Sequence, residues 1–258
     1  MKKKDTSWDS FAVWYDGMVA DNDSYQARVI APNLHRLMNL RAGEKVLDLA
    51  CGTGFFSGVF AHVVGPKNVV GVDIGKHLIS IAKKNNSEID FKVSSASNLS
   101  AFASNHFDKI AIVLAIQNIS EVKAMLQEIG RVLKSNGSVY IVMNHPAFRV
   151  PKRSGWGFDE TLGRQYRRID GYLYESKEEI DMKPGSSRGE SSDEITFSFH
   201  RPIQYYAKLF AAAGFAIVCL EEWISHKRSQ SGPRQKEEDR VRSEIPLFLF
   251  MEIRKIVK

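Results

Sequence analysis

Apolar residues fall along this chain in two alternating rhythms. Short apolar runs at 46–49, 69–72, 107–114 and 138–143 have the length and continuity of strands buried on both faces. Residues 89–93 read as a further short strand. Between the strands lie stretches of helical period. Val122, Met125, Leu126, Ile129 and Leu133 form one apolar stripe, which residues 134–137 are expected to close with a glycine cap. Residues 203–214 read as an apolar-faced helix ending at Gly214, followed by strands at 215–220 and 245–253. Such alternation predicts an α/β fold, with a parallel sheet covered by helices on both faces. Two segments break the rhythm. Residues 184–192 are rich in turn formers and read as a mobile loop, and 226–242 are so charged that a flexible loop is expected.

The chemistry concentrates where the first strand stops. Residues 46–54, Val-Leu-Asp-Leu-Ala-Cys-Gly-Thr-Gly, run from a buried strand into a turn whose Gly52 and Gly54 permit close backbone approach. A ligand is expected against that main chain. Asp48 is a charge inside an apolar run, costly unless a partner satisfies it. A dinucleotide turn would need its third glycine at position 57, where this chain has Ser57 and then Gly58. Asp73 closes the second strand about twenty residues on, the separation at which a carboxylate reaches a ribose diol. Aspartate is also favoured as a helix N-cap, and the two roles are compatible. Ile74 next to it offers an apolar wall to a base.

Together these residues resemble motif I of the class I S-adenosylmethionine-dependent methyltransferases, whose usual form is hydrophobic-Leu-Asp-x-Gly/Cys-Gly-x-Gly. That resemblance implies a doubly wound, Rossmann-like α/β fold with a seven-stranded sheet, mostly parallel with an antiparallel last strand and helices on both faces. It implies S-adenosyl-L-methionine as cofactor, a methyl group as the cargo, and no metal. It assigns Asp48, Ala50, Cys51, Gly52, Gly54, Asp73 and Ile74 to the cofactor, with Cys51 as a packing residue beneath it. Ser95 and Ala96 occupy the place of the family's Asp-Ala against adenine, and Ser95 is a weaker acceptor than the aspartate it replaces. Leu114, Ala115 and Gln117 fall beside the sulfur. Arg131-Val-Leu-Lys-Ser-Asn-Gly137 is similar to the family's Arg-Val-Leu-Lys-Pro-Gly-Gly segment. The resemblance spans about residues 8–258 and implies one methyltransferase domain over 1–258. Within it, 1–40 form an N-terminal helical cap and 145–202 a substrate-side insert.

Composition narrows the partner. The 258 residues carry a formal charge of +6, yet 150–205 hold nine Lys/Arg against ten Asp/Glu, so the insert is nearly neutral. Nothing resembles a nucleic-acid module, and nucleic acid is not expected. No apolar run reaches the roughly 18 residues of a membrane helix. Cys51 and Cys219 are too few for a disulfide framework, which points to a reducing cytoplasm. A monomer or homodimer is expected.

Candidate acceptor chemistry lies in the insert. His145 and His200 are candidate general bases, because an unperturbed imidazole titrates near neutrality. Each could equally be a structural hydrogen-bonder. Arg149, Arg168 and Arg201, with Arg167 beside them, could hold an anion through paired donors. Tyr166 and Tyr172 could orient a hydroxyl or stack on a ring. Tyr15, in an aromatic cluster with Trp8, Phe11 and Trp14, is either a lid over the site or plain packing. The implied activity is methyl transfer to a small polar or anionic molecule. An RNA or protein methyltransferase and a non-catalytic cofactor binder remain as alternatives.

Overall fold

A computed structural model describes residues 8–181 and 195–256. The loop expected at 184–192 lies outside the described residues.

Seven strands form the central sheet: β1 (Val46–Leu49), β2 (Val69–Asp73), β3 (Asp90–Val93), β4 (Phe107–Val113), β5 (Leu133–Asn144), β10 (Phe215–Trp223) and β11 (Phe248–Lys255). Their order is β10-β11-β5-β4-β1-β2-β3. Neighbours from β3 through β5 pair parallel, and β11 alone runs antiparallel between β5 and β10. The chain therefore winds outward twice from β1, first through β2 and β3, then through β4 and β5. The crevice outside the carboxyl ends of β1 and β4 is where the two directions part, and ligands of such sheets collect there.

Alternation along each strand feeds two cores. Leu47, Leu49, Ile110, Ile112, Val139 and Ile141 face α5 (Val122–Val132) and α6 (Ile203–Ala212). Val46, Ala111, Val113, Tyr140 and Val142 face α2 (Ala31–Met38), α3 (Phe55–Val64) and α4 (Lys76–Asn85). Leu34 and Phe60 on that second side are fully buried, each contributing about 2 kcal/mol from apolar area removed from water.

The amino-terminal segment docks on α4. A short turn (Trp8–Phe11) leads into α1 (Ala12–Ala20). Asp9 accepts from the backbone N–H of His77 at 2.6 Å and of Leu78 at 3.0 Å, capping α4 from sixty-eight residues away in sequence. Its charge suits the positive end of that helix. At the other end of α4, Asn85 donates to Asp16 at 2.9 Å.

The insert between β5 and α6 builds two small hairpins, β6 (Ser154–Asp159) with β7 (Arg164–Ile169), and β8 (Ser176–Asp181) with β9 (Ile195–His200).

Three expectations need correction. Residues 134–137 do not cap α5. That helix stops at Val132, Leu133 turns extended and is fully buried, and the stretch enters β5 through a register shift against β4. The charged stretch 226–242 is not a loop throughout, since Gln235–Glu244 form a helix, α7. Its charges pair along the helix, Arg240 with Glu237 and Glu244, while Val241 is buried. The last two strands also run further than expected, to Trp223 and Lys255.

Candidate cofactor cleft and acceptor pocket

The turn after β1 is shaped by its backbone. Gly52 and Gly54 have φ of +57° and +82°, where a Cβ would be strained. A Cβ on Gly54 would sit 2.9 Å from the Phe91 ring, and one on Gly52 would sit 3.1 Å from the Tyr15 ring. Ala50, just before, also adopts a positive φ of 62°.

Two carboxylates sit beneath this turn. Asp73 Oδ2 accepts from Gly52 N–H at 2.9 Å and Oδ1 from Gly75 N–H at 2.8 Å. The side chain thus pins the glycine turn to the start of α4, and burial raises its pKa against those hydrogen bonds. Asp48 is fully enclosed and receives the Ser57 hydroxyl at 2.6 Å. Burial pushes its pKa up to about 7; the Ser57 bond opposes this and Asp73 adds to it. Asp48 therefore has its partner in α3. Cys51 is buried in the second core, and its thiol is pushed far up by burial, so it packs and does not react.

Tyr15 closes the turn from above. Its ring lies on Gly52 and meets Trp8 edge-on at 5.6 Å. Burial first, then Asp48 and Asp73, raise its pKa, although part of the residue remains accessible.

A cleft of about 170 Å³ opens beside this turn. Its walls include Ala50, Asp73, Ile74, Ser95, Ala96 and Asn118. Ile74 is 63% exposed, an aliphatic surface standing free at the mouth. Ser95 shares a hydrogen bond with Ser97 at 2.9 Å. A larger groove of about 310 Å³ lies between α3 and the end of α4, walled by Gly58, His62 and Asn86, none of which is a candidate site residue.

The residues after β4 contribute to two spaces, Asn118 to Glu121 to the cleft and Gln117 to a smaller cavity. Leu114 (φ +53°), Ala115 and Gln117 follow the strand, but none of the three lines the 170 Å³ space. Gln117 instead walls a cavity of about 40 Å³ with Asn144, Arg149, Ser198, His200 and Arg201.

Most insert residues expected to touch an acceptor have other work. His145 is 1% exposed; Nε2 pairs with Glu222 at 2.6 Å and Nδ1 accepts from Ala147 N–H at 3.2 Å. With both ring nitrogens engaged, His145 is a structural residue and not a base; burial lowers its pKa despite Glu222. Arg201 donates to the Ile119 and Ser120 carbonyls and lies over Phe199, fastening β9 to the loop after β4. Arg168 pairs with Asp170 on an exposed surface, and Tyr166 packs over Gly157 on the same hairpin, in an open groove apart from the cleft. The Tyr172 hydroxyl accepts from Ile203 N–H at 3.0 Å. These four are corrected from acceptor contacts to scaffold or outer surface. His200, Arg149 and Arg201 all line the cavity wall, Arg201 with its guanidinium engaged by the two carbonyls. His200 Nε2 meets the Tyr172 carbonyl at 2.8 Å, which sets the N–H there and leaves the lone pair on Nδ1.

Asp9, Ser57, Glu222 and Asn118 were not singled out from sequence. Each acts through a partner distant in the chain, and only Ser57, nine residues from Asp48 on the opening turn of α3, carried a local signal.

Residues 40–153 match the family model described as a methyltransferase domain. A demethylmenaquinone methyltransferase of Paenarthrobacter aurescens is 36% identical over 110 residues, 42% of this chain and 42% of that protein. Another from Listeria monocytogenes serotype 4a is 26% identical over 225 residues, 79% of this chain and 83% of that one. The chain spans only 42%, 61% and 53% of the first three such relatives. An S-adenosylmethionine-dependent methyltransferase of Mesorhizobium loti shares the fold at a TM-score of 0.66 and 21% identity, over 87% of this chain and 96% of that one. The matched methyltransferase domain contains the glycine turn, Asp73, Gln117 and Arg149, and leaves His200 and both hairpins outside it. Among the described residues no helix is long and apolar enough to cross a membrane, and no cluster of metal-binding side chains occurs.

Proposed function

We propose that this chain is an S-adenosylmethionine-dependent methyltransferase whose acceptor is a small polar or anionic molecule. One observation carries the reading: Asp73 stands in the cleft wall with both oxygens oriented by backbone N–H groups. That layout suits a vicinal diol, and the free aliphatic surface of Ile74 beside Ala96 suits a purine face. The residues present therefore fit an adenosine group.

Asp73 would hold the ribose hydroxyls, Ile74 and Ala96 the base, and the turn at 50–54 the amino-acid end beneath Tyr15. When bound, the cofactor supplies a methyl carbon on a sulfonium, open to in-line attack by an acceptor lone pair. The chain's own share is alignment and exclusion of water. Tyr15 covers the turn, and Arg201 holds the loop at Ile119 and Ser120 that borders the cleft. His200 Nδ1 would receive the acceptor's proton where that acceptor is a hydroxyl or a protonated amine. The nearly neutral insert and the demethylmenaquinone named for the relatives favour a small molecule over a polymer.

Calorimetry with S-adenosylhomocysteine, then mass spectrometry of a metabolite extract incubated with methyl-labelled cofactor, tests the reading. Binding and one newly labelled metabolite are expected, with His200→Ala slowing transfer at least about tenfold at unchanged cofactor affinity. Uptake of a nicotinamide or flavin compound in place of the nucleoside would overturn it.

A further inference from the structure

The helix α1 is turned the wrong way round for a surface helix. Ala12, Tyr15, Asp16 and Val19 share its inward side: Ala12 and Val19 are buried, Tyr15 lies on Gly52, and Asp16 accepts from Asn85 at the end of α4. Val13, Trp14, Gly17 and Met18 share the opposite side, at the spacing that stacks residues four apart on one helix face. Val13 is 80% exposed, Trp14 52% and Met18 39%. A surface helix ordinarily gives its polar residues to water and its apolar stripe to the core. In α1 the two oxygen-bearing side chains face the protein, and three large apolar ones stand in water. Single exposed apolar residues are ordinary, but three on adjoining positions make a patch, and patches mark contact surfaces.

The surroundings of this face say what fits it. The stretches 2–7 and 182–194, outside the described residues, contain no apolar run that could lie on it. A second copy fits poorly. Val13, Trp14 and Met18 together expose on the order of 300 Å², well short of the ~800 Å² per partner of a stable dimer. A twofold contact would also gather like charges, because α4 beside α1 carries exposed Lys76, Lys83 and Lys84 and no acid. Lys2, Lys3 and Lys4 precede the same segment in sequence. The acids just past α1 are Asp21 and Asp23, and Lys227 pairs with Asp23. An apolar ridge bearing a tryptophan, flanked by lysines, complements an anionic lipid surface. There the indole settles at headgroup level and the ammonium groups meet phosphates.

We infer that α1 docks the protein on an anionic lipid bilayer, with Val13, Trp14 and Met18 entering the interface and Lys76, Lys83 and Lys84 facing the headgroups. The contact is peripheral and spans nothing. It presses on the outer side of the helix whose inner side carries Tyr15 onto the glycine turn. The inference does not depend on the methyltransferase reading.

Flotation of the full chain with phosphatidylcholine vesicles, and with vesicles of about one third phosphatidylglycerol, tests it. Binding to the anionic vesicles is expected to be at least about tenfold tighter and to weaken as salt rises. Trp14→Ser and Met18→Ser should each weaken it by about tenfold or more, the loss of one large apolar side chain from the interface. Lys83→Ala and Lys84→Ala should each weaken it about fivefold. Circular dichroism should stay unchanged in all four, because each residue is exposed. Vesicles should shift tryptophan emission to the blue, and Trp14→Phe should keep the binding while removing that shift. Absence of flotation overturns the inference. Binding that survives both Trp14→Ser and Met18→Ser overturns it too, since charge alone would then hold the protein. A concentration-dependent dimer in sedimentation that Trp14→Ser dissolves, without vesicle binding, gives the face to a second copy and likewise overturns it.

Discussion

The cofactor-side cleft and the insert-side cavity are neighbours built on opposite logic. In the cleft, polar side chains are already satisfied by the protein: Asp73 by Gly52 and Gly75, Asp48 by Ser57, Ser95 by Ser97. Its shape is set by backbone at the ends of parallel strands, before any ligand arrives. Around the cavity, Gln117 Oε1 is buried without a donor among the described residues, and Arg149 is left to solvent. There the scaffold is an insert that spends most of its arginines and one of its two histidines on itself. Residue type is thus a good guide to the cleft and a poor guide to the insert, where the informative property is a missing partner.

The largest expected effect comes from breaking the cleft. Asp73→Asn replaces one accepting oxygen with an amide that must face a backbone N–H, either at Gly52 or at Gly75. The stranded N–H costs stability, while the charged hydrogen bond lost to the ribose is worth up to about 3 kcal/mol, so S-adenosylhomocysteine affinity should fall about a hundredfold in calorimetry. A tenfold loss or less would mean that Asp73 is chiefly a cap for α4.

Asp48 sharpens the contrast, because it is satisfied yet costly. Its folded pKa is pushed up to about 7, above the unfolded carboxylate value, so the native state holds its proton longer than the unfolded chain does. Stability from this group is full at low pH and is lost as pH rises from about 4 through about 7. Asp48→Asn mimics the protonated acid. It should stabilise the protein by a few kcal/mol near pH 8 and by almost nothing near pH 4, read from urea midpoints. A gain that is the same at both pH values would show that Asp48 is ionised throughout.

What the sequence made legible follows the same division. The glycine turn, Asp73 and the alternating strands carry local signals, since a positive φ demands glycine and a doubly covered strand demands an unbroken apolar run. The pairings that decide roles in the insert join residues far apart in the chain. His145 meets Glu222 across seventy-seven positions, and Arg201 reaches Ile119 across eighty-two. No periodicity announces such a meeting, so His145 read as a base and Arg201 as an anion clamp. The charged run holding α7 misled for another reason. Its composition is that of a solvated loop, but Glu237, Arg240 and Glu244 stand at helical spacing and Val241 supplies one buried contact.

His145 gives a prediction of middle size. If it serves the scaffold, His145→Gln keeps one polar contact and His145→Ala keeps none. The alanine variant should lose about 2 kcal/mol of stability, since it empties the space of a buried ring that packs on Phe148. Cofactor affinity should hold within about twofold, because no cleft residue touches the pair. A drop in methyl transfer without any loss of stability would return His145 to the chemistry.

The smallest effect tests whether the amino-terminal segment belongs to the cleft or merely covers it. Asp9 caps α4 and thereby holds the segment that carries Tyr15 onto Gly52. Removing a cap costs about 1 kcal/mol, so Asp9→Ala should lower stability by about that amount, and Asp9→Asn, still a good cap, by less. If Tyr15 is a lid, the same variant should also weaken S-adenosylhomocysteine binding by about two- to fivefold, in proportion to how often the segment lifts. Tyr15→Phe separates ring from hydroxyl: it keeps the cover over Gly52 and removes a group whose ionisation burial and two acids already suppress. It should therefore bind the nucleoside as the parent does, whereas Tyr15→Ala should match or exceed the loss seen with Asp9→Ala. Equal affinity in all three variants would make the segment packing alone, and the turn would then hold its ligand without a cover.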